Sequence, residues 1–493
     1  MKARLISFFM LATLFGTSLT IASGGDPDFD YEDPEVYMVD NIYYRIIPGE
    51  TEVSVASPKP YYPSNLYPED RKSMIIPSTI TYNGEVYTVT KIEGGAFNCE
   101  AFETLSIPAT VKDFDLSRMS SCEELATLTV DEENEWYKSV DNILHNKDMS
   151  RLLLCPQKRM DYDIAIPEGV EEIESRAFYA FSKKSITKIT FPSTLRIIGN
   201  EGLAYFKAES FKLPEGLECL QEHAFYGASA ADSTLVIPST VTAIGKGCFA
   251  DTYFKTMVLP DNIDRIIEFM FYGSDIAEIR LPESVEIIDE DAFADAKSLK
   301  SIELPENLRI IGEEAFSESG LTSIAIRSKV SVLDEKVFAY CDSLKSVTIG
   351  ESVREIYDSF IGCASLTDIY CEGMIAPVID EVYPLGKDKE GDNPWMDLPI
   401  FTGATIHVRP GARVEYAGNG WDKIGPIVED LPSGISDIND DTAIGDDELC
   451  EAYSLSGVAV DSSLHIGETN TRLPKGIYII RTASGKSAKI YVK

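Results

Sequence analysis

From residue 160 to 370 the chain repeats one pattern. Ile164-Ala165-Ile166-Pro167 returns as Leu235-Val236-Ile237-Pro238, Ile279-Arg280-Leu281-Pro282 and Ile302-Glu303-Leu304-Pro305. The Pro column, or its substitute, falls at Pro167, Pro192, Pro214, Pro238, Pro260, Pro282, Pro305, Arg327 and Gly350, in steps of 25, 22, 24, 22, 22, 23, 22 and 23 residues. A large apolar residue follows 11 positions later, as Leu203 after Pro192, Phe225 after Pro214, Phe249 after Pro238, Phe293 after Pro282 and Phe316 after Pro305. A fixed internal offset under a variable period is what a stack of coils requires. Residues that lie on one another are held in place, while the connecting turns are free to change length. No single coil can bury its own apolar faces, so stability comes from the stack and both ends need covers.

Within a coil, period-two alternation sends Ile302 and Leu304 inward and Ser301 and Glu303 outward, in a short strand ended by Pro305. Leu308, Ile311 and Phe316 complete the inward set. Each buried apolar side chain contributes roughly 1.5 to 3 kcal/mol. About thirteen strand-like segments between Ile76 and Tyr370, at about 4.8 Å per strand, give an arc of about 60 Å. In front of the repeats, Val36 to Ile47 and Thr51 to Ser57 read as strands around Pro48-Gly49. Thr79 to Tyr82 pairs with Glu85 to Thr88 across Asn83-Gly84, a type I′ hairpin signal. One coil is interrupted after Val130 by a hairpin excursion, and the pattern resumes at Ile164. Behind the repeats the period is lost, and Trp395, Phe401 and Trp421 are taken to close the stack.

The resulting division is a signal peptide at 1–22, an N-terminal β cap at 26–75 and a solenoid at 76–371 with its insert at 131–163. A C-terminal cap at 372–432, an acidic linker at 433–449 and a β domain at 450–493 follow. The signal reading rests on Lys2 and Arg4, the apolar run from Leu5 to Ala22 and the acidic stretch beyond Ser23-Gly24-Gly25. No later stretch reaches the 18 or so apolar residues a spanning helix needs, so no membrane insertion is expected after signal removal.

A net charge of −37 repels phosphate backbones and anionic lipid headgroups, so nucleic acid is not an expected partner. Nine scattered cysteines form no disulfide framework, and Cys99, Cys122, Cys341 and Cys363 read as buried thiols. Cys341 and Cys363 lie on neighbouring coils, close enough to bridge only if their side chains face each other.

The chain offers little for catalysis. His145, His223, His407 and His465 are far apart, and no metalloprotease, hydrolase or phosphate-loop motif is present. Gly418-Asn419-Gly420 is a turn. Asp437, Asn439, Asp441, Ile444 and Glu448 match the positions of a calcium loop, but position six is Thr442 instead of Gly, and an acidic linker accounts for the stretch better. Asp26, Asp28 and Asp30 invite the same idea with less support. No enzyme activity, cofactor or metal is expected.

The unit xIxLPxxLxxIGxxAF resembles the BspA-like leucine-rich repeats of bacterial surface proteins over about residues 36 to 432. The interruption is similar to that family's insert at Asn134, Tyr137, Ser139 to Lys147 and Cys155-Pro156. Ala404 to Pro410 with Trp421 is similar to its closing segment. The tail, with Pro474-Lys475-Gly476-Ile477-Tyr478-Ile479 and Lys489 to Lys493, looks like the C-terminal sorting domains read by type IX secretion. The fold class implied is mainly β with short irregular or helical segments: a leucine-rich-repeat solenoid with a parallel ladder, capped at both ends, plus a small C-terminal β-sandwich. The resemblance also implies a secreted or outer-surface protein of a Gram-negative bacterium that adheres to host matrix proteins or to other bacteria.

For a binding surface, the outward strand residues Thr190, Lys212, Val236, Val258, Arg280, Glu303, Ala325 and Thr348 form a row that suits a broad protein partner. A solvated sheet face, with Arg280 paired to Glu303, is the plainer account of the same residues. Tyr179, Tyr226 and Tyr272 follow core aromatics and are expected to pack on adjacent turns in preference to forming a contact stripe. Two other readings are a carbohydrate-binding or carbohydrate-processing surface protein and a passive envelope component. A monomer is expected.

Overall fold

The computed structural model describes residues 35–57, 72–97, 102–119, 122–159, 163–179, 186–379, 403–432, 449–454, 459–465, 472–473, 476–482 and 487–492. The signal segment, the linker with its calcium-loop positions, Trp395 and Phe401 lie outside these residues.

Alternation at each coil's first strand does what the sequence implies. Thr256–Val258 pairs in parallel with Thr234–Val236 on one side and Glu278–Arg280 on the other. Ser323–Ile326, Ser346–Ile349 and Asp368–Cys371 pair likewise. The ladder is not continuous. Residues 301–305, whose pattern is the clearest in the sequence, form no assigned strand, although Ile302 is buried and Glu303 exposed as expected. Inward apolar positions therefore persist where ladder hydrogen bonding lapses.

Each coil carries a second strand that alternation could not reveal because it is only two residues long. Glu172–Ile173, Ile197–Ile198, Cys219–Leu220 and Ala243–Ile244 pair in sequence, as do Arg265–Ile266, Ile287–Ile288 and Ile310–Ile311. The second residue of each is buried or nearly so.

A third side is built by the turn around each phenylalanine of a stacked column in the core, or around Leu203 in its place. The residue two before it and the residue two after it both adopt left-handed backbone, as at Glu201 and Tyr205, Phe269 and Gly273, and Asp291 and Asp295. For a residue with a Cβ this costs about 1 kcal/mol. The return is directional: with the handedness alternating, every second N–H points at the next coil. Phe225 N–H donates to Cys248 O at 2.9 Å, Phe249 N–H to Met270 O at 3.0 Å and Phe293 N–H to Ala315 O at 2.7 Å.

Inside, Phe225, Phe249, Phe271, Phe293, Phe316, Phe338 and Phe360 stack face to face, with centroids 5.0 to 5.8 Å apart. Leu203 occupies the column one coil earlier and is fully buried. One apolar core runs from Ile143 to Ile427. A separate core fills the N-terminal part from Ile42 to Leu154. The two meet at the insert, where Ile143 belongs to one and Leu144 to the other. The insert is the expected hairpin, Tyr137–Val140 with Ile143–Asn146. Its third strand, Arg151–Leu154, rejoins the second ladder beside Glu172–Ile173.

At the N-terminal end the segment read as one strand, 36–47, folds back on itself. Val36–Val39 pairs with Ile42–Ile46 across Asp40 and Asn41, both at positive φ (48° and 62°). The Asn83-Gly84 hairpin forms as expected, with φ of 51° and 86°. Ser73–Ile75 already pairs with Thr104–Ile107 of the stack. At the other end, where the period is lost, two further parallel rungs appear: Thr405–Val408 on Asp368–Cys371, and Ile427–Glu429 on Thr405–Val408. Trp421, fully buried, donates its indole N–H to Pro377 O at 3.0 Å, and the Tyr416 hydroxyl donates to Gly373 O at 2.9 Å. Gly418-Asn419-Gly420 is the turn after a short α-helix, Arg413–Gly418. Of the small sandwich expected in the tail, the described residues show a four-stranded antiparallel sheet.

The cysteines need one correction. Cys122 is disulfide-bonded and is not a free buried thiol. Cys341 and Cys363 are free and buried. Each thiol points back at the previous coil, Cys341 to Phe316 O and Cys363 to Phe338 O, both at 3.1 Å, so the two do not face one another. Burial pushes these thiols up to about 11 and about 12.

Candidate binding face

The outward row exists in two registered parts. Val236, Val258 and Arg280 are directly aligned, and so are Ala325, Thr348, Tyr370 and His407. Thr190 aligns with Ala165 on the preceding rung. Lys212 is exposed just beyond the strand Lys207–Ser210, and Glu303 is exposed in the coil whose first strand is not assigned. Ala325 and Thr348 are half-buried, so the row is most open in its middle, where Val236 is 53% and Val258 48% exposed.

Arg280 and Glu303 do not form the ion pair that a solvated face would have used. Among the described residues neither Arg280 nor Lys212 has a carboxylate within 4 Å, although twenty-odd other contacts of that kind hold the surface together; Lys255–Asp275, Lys246–Glu268 and the two-pronged Arg327–Glu372 pair are examples. On a chain of net charge −37, an unmatched Arg280 in register with two exposed valines makes the middle of the row chemically distinct.

The row continues past its expected end into a feature that sequence reasoning missed. His407 stacks on Tyr370 at 4.5 Å and is flanked by two carboxylates, with Nδ1 at 2.8 Å from Asp430 Oδ2 and Nε2 at 3.0 Å from Asp368 Oδ1. Only the doubly protonated ring donates to both. The Thr367 hydroxyl, helped by His407, holds the Asp368 carboxyl below its ordinary range. Alternation in Thr405-Ile406-His407-Val408 was the available signal; the coil before it was too long to keep the period.

The other histidines do different things. His145 is fully buried, and burial pushes it down to about 4, so it is neutral and structural. His223 lies half-exposed against the edge of Tyr226 at 5.6 Å. Tyr179, Tyr205 and Tyr226 meet edge to face at 5.4 and 5.2 Å, the packing expected of Tyr179 and Tyr226, whereas Tyr272 is 38% exposed. Among the described residues no group of three or more His, Cys, Asp or Glu is placed to hold a metal ion, and no helix is long and apolar enough to cross a membrane. The second ladder also turns apolar side chains outward, with Ile310 52% and Val378 60% exposed.

A stack of coils with parallel ladders, a phenylalanine column and an open strand row defines a leucine-rich-repeat solenoid. The chain belongs to the BspA type leucine rich repeat region family, whose model matches six copies over residues 73–142, 161–275 and 264–383. It is similar to the pneumococcal vaccine antigen PcpA, at 18% identity over 80% of this chain and 99% of that one, with a TM-score of 0.47. A leucine rich cell surface protein of Faecalibacterium prausnitzii is 19% identical over 80% of this chain and 98% of that one, with a TM-score of 0.42. A leucine-rich repeat protein of Bacteroides ovatus is 22% identical over 69% and 72%, with a TM-score of 0.40. No curated protein matches the chain.

Proposed function

We propose that the chain is a secreted or cell-surface protein of a Gram-negative bacterium that binds other proteins, on host matrix or on other bacteria, through the middle of its outward strand row. It catalyses nothing. The observation that carries this reading is the registered run of exposed Val236 and Val258 into Arg280, a cation with no carboxylate within 4 Å among the described residues. Exposed apolar side chains bordered by uncompensated charge are what a partner's surface can desolvate with profit, since no internal ion pair has to be broken first. The family supports display outside the cell, and the resemblance of the tail to type IX sorting domains supports export across an outer membrane.

The test is binding to an immobilised panel of host matrix proteins and to whole bacterial cells. The Val258→Asp and Arg280→Glu variants should each weaken capture by about tenfold or more while melting like the wild type. Uniform failure of the folded wild type to bind, or capture that ignores both substitutions and Lys212→Glu, sinks the proposal and leaves a passive envelope component.

A further inference from the structure

The turns between residues 205 and 275 frame a half-open hollow of about 210 Å³ lined by Tyr205, Gly227, Asp251, Tyr253, Gly273 and Asp275. It is carried by the turn segments and not by the strand row, so it is independent of the binding face above. Two of its lining positions are glycines over whose bare backbone the Tyr205 ring and the Asp251 carboxylate close. Gly227 and Gly273 occupy left-handed positions that Asp295, Glu318 and Tyr340 fill on other coils. A methyl group on Gly227 would lie 2.7 Å from the Tyr205 ring, and one on Gly273 would lie 2.2 Å from Asp251 Oδ1.

The remaining walls are held rigidly. Tyr253 sits between Thr252 and Phe254, which are both buried, and its own N–H donates to Ala228 O at 3.0 Å. Its ring is nevertheless 56% exposed. Asp275 N–H donates to Thr252 O at 2.8 Å, and its carboxylate meets Lys255 Nζ at 2.8 Å. Asp251 accepts the Tyr226 hydroxyl, which, after burial, is what raises that phenol above its ordinary range.

We propose that this hollow binds one neutral pyranose ring of a glycan. Its volume lies below the roughly 300 Å³ at which drug-sized sites begin, so it suits a single small ring. The exposed Tyr253 offers a π face to the C–H face of a sugar, and the Tyr205 ring, packed between Tyr179 and Tyr226, forms a fixed wall beside it. Asp251 and Asp275 keep acceptor lone pairs for its hydroxyls, because a carboxylate takes up to about four hydrogen bonds. The charge of the chain turns away sialylated or sulfated sugars. Lys255 already neutralises Asp275, which lessens the pull of the hollow on a cationic side chain.

The experiment presents the folded protein to an array of neutral hexose oligosaccharides, sialylated and sulfated counterparts, and a Lys/Arg-rich peptide. Neutral sugars should be retained, with retention unchanged in high salt, and Tyr253→Ala and Asp275→Asn should each weaken it by about tenfold. Both side chains are partly exposed, so the variants should melt like the wild type. Retention of no neutral sugar overturns the proposal, as does retention that survives Tyr253→Ala. So does preferential capture of the basic peptide, lost in high salt and in Tyr253→Ala.

Discussion

Phe293 stands in the middle of the phenylalanine column, fully buried, 5.0 Å from Phe271 and 5.1 Å from Phe316, with interplanar angles of 15° and 1°. Phe293→Ala removes a ring from a site whose neighbours are fixed by coil-to-coil hydrogen bonds and cannot collapse into the gap. Such a change costs about 3 to 5 kcal/mol. Phe293→Leu keeps most of the burial, as Leu203 does naturally in the same column, and forfeits chiefly two stacked contacts of about 0.5 to 1.5 kcal/mol each. Phe293→Asp places a charge there and should unfold the surrounding coils. Because coils couple mainly to nearest neighbours, a single melting temperature is a poor gauge, and amide hydrogen exchange is the suitable assay. Protection should fall first in the coils from Phe271 to Phe338, by more in Ala than in Leu. An Ala variant with wild-type protection, or a Leu variant as damaged as Ala, would refute the column as the seat of stability.

Two further outcomes are expected. Burial first, then Glu314, Glu290, Glu268 and Glu313, push the Asp291 carboxyl up to about 7. The folded state therefore holds its proton more tightly than the unfolded chain does. The resulting cost is absent below the ordinary carboxylate range near 4, grows as pH rises through about 7 and is full above it. Asp291→Asn should accordingly gain about 1 to 2 kcal/mol over wild type at pH 8 and nothing at pH 4, after allowance for partial exposure; a gain independent of pH in urea titrations contradicts the assignment. Trp421→Ala should cost about 3 to 5 kcal/mol locally, read as lost exchange protection across residues 403–432, and unchanged protection there would mean that Trp421 does not close the stack.

The parts of the fold legible in sequence are those fixed by side-chain period. The proline steps and the offset of 11 placed Phe225, Phe249, Phe293 and Phe316 in one column, and Asn83-Gly84 gave away its hairpin. The parts that escaped are set by the backbone. Strands such as Ile287–Ile288 are too short to alternate, and left-handed positions held by Arg176, Glu201 or Phe269 carry none of the glycine signal that usually marks them. Asp40-Asn41 hid a hairpin for the same reason. Of the binding face, the residues were legible but their neighbours were not. That Arg280 has no carboxylate partner among the described residues, or that His407 lies between Asp368 and Asp430, depends on which residues coil length brings together. Cys122 looked like the other small core residues because a disulfide leaves no periodic mark.

The third side of each coil has a consequence for how such a chain changes over generations. Since Phe249 N–H reaches Met270 O by the same geometry that takes Phe293 N–H to Ala315 O, any coil presents the same socket and plug as the next. An in-frame duplication of one unit would slot in anywhere between the two ends and lengthen the body by about one strand spacing, 4.8 Å. Both termini would keep their seals, and the reach of the molecule can thus be tuned without rebuilding either one.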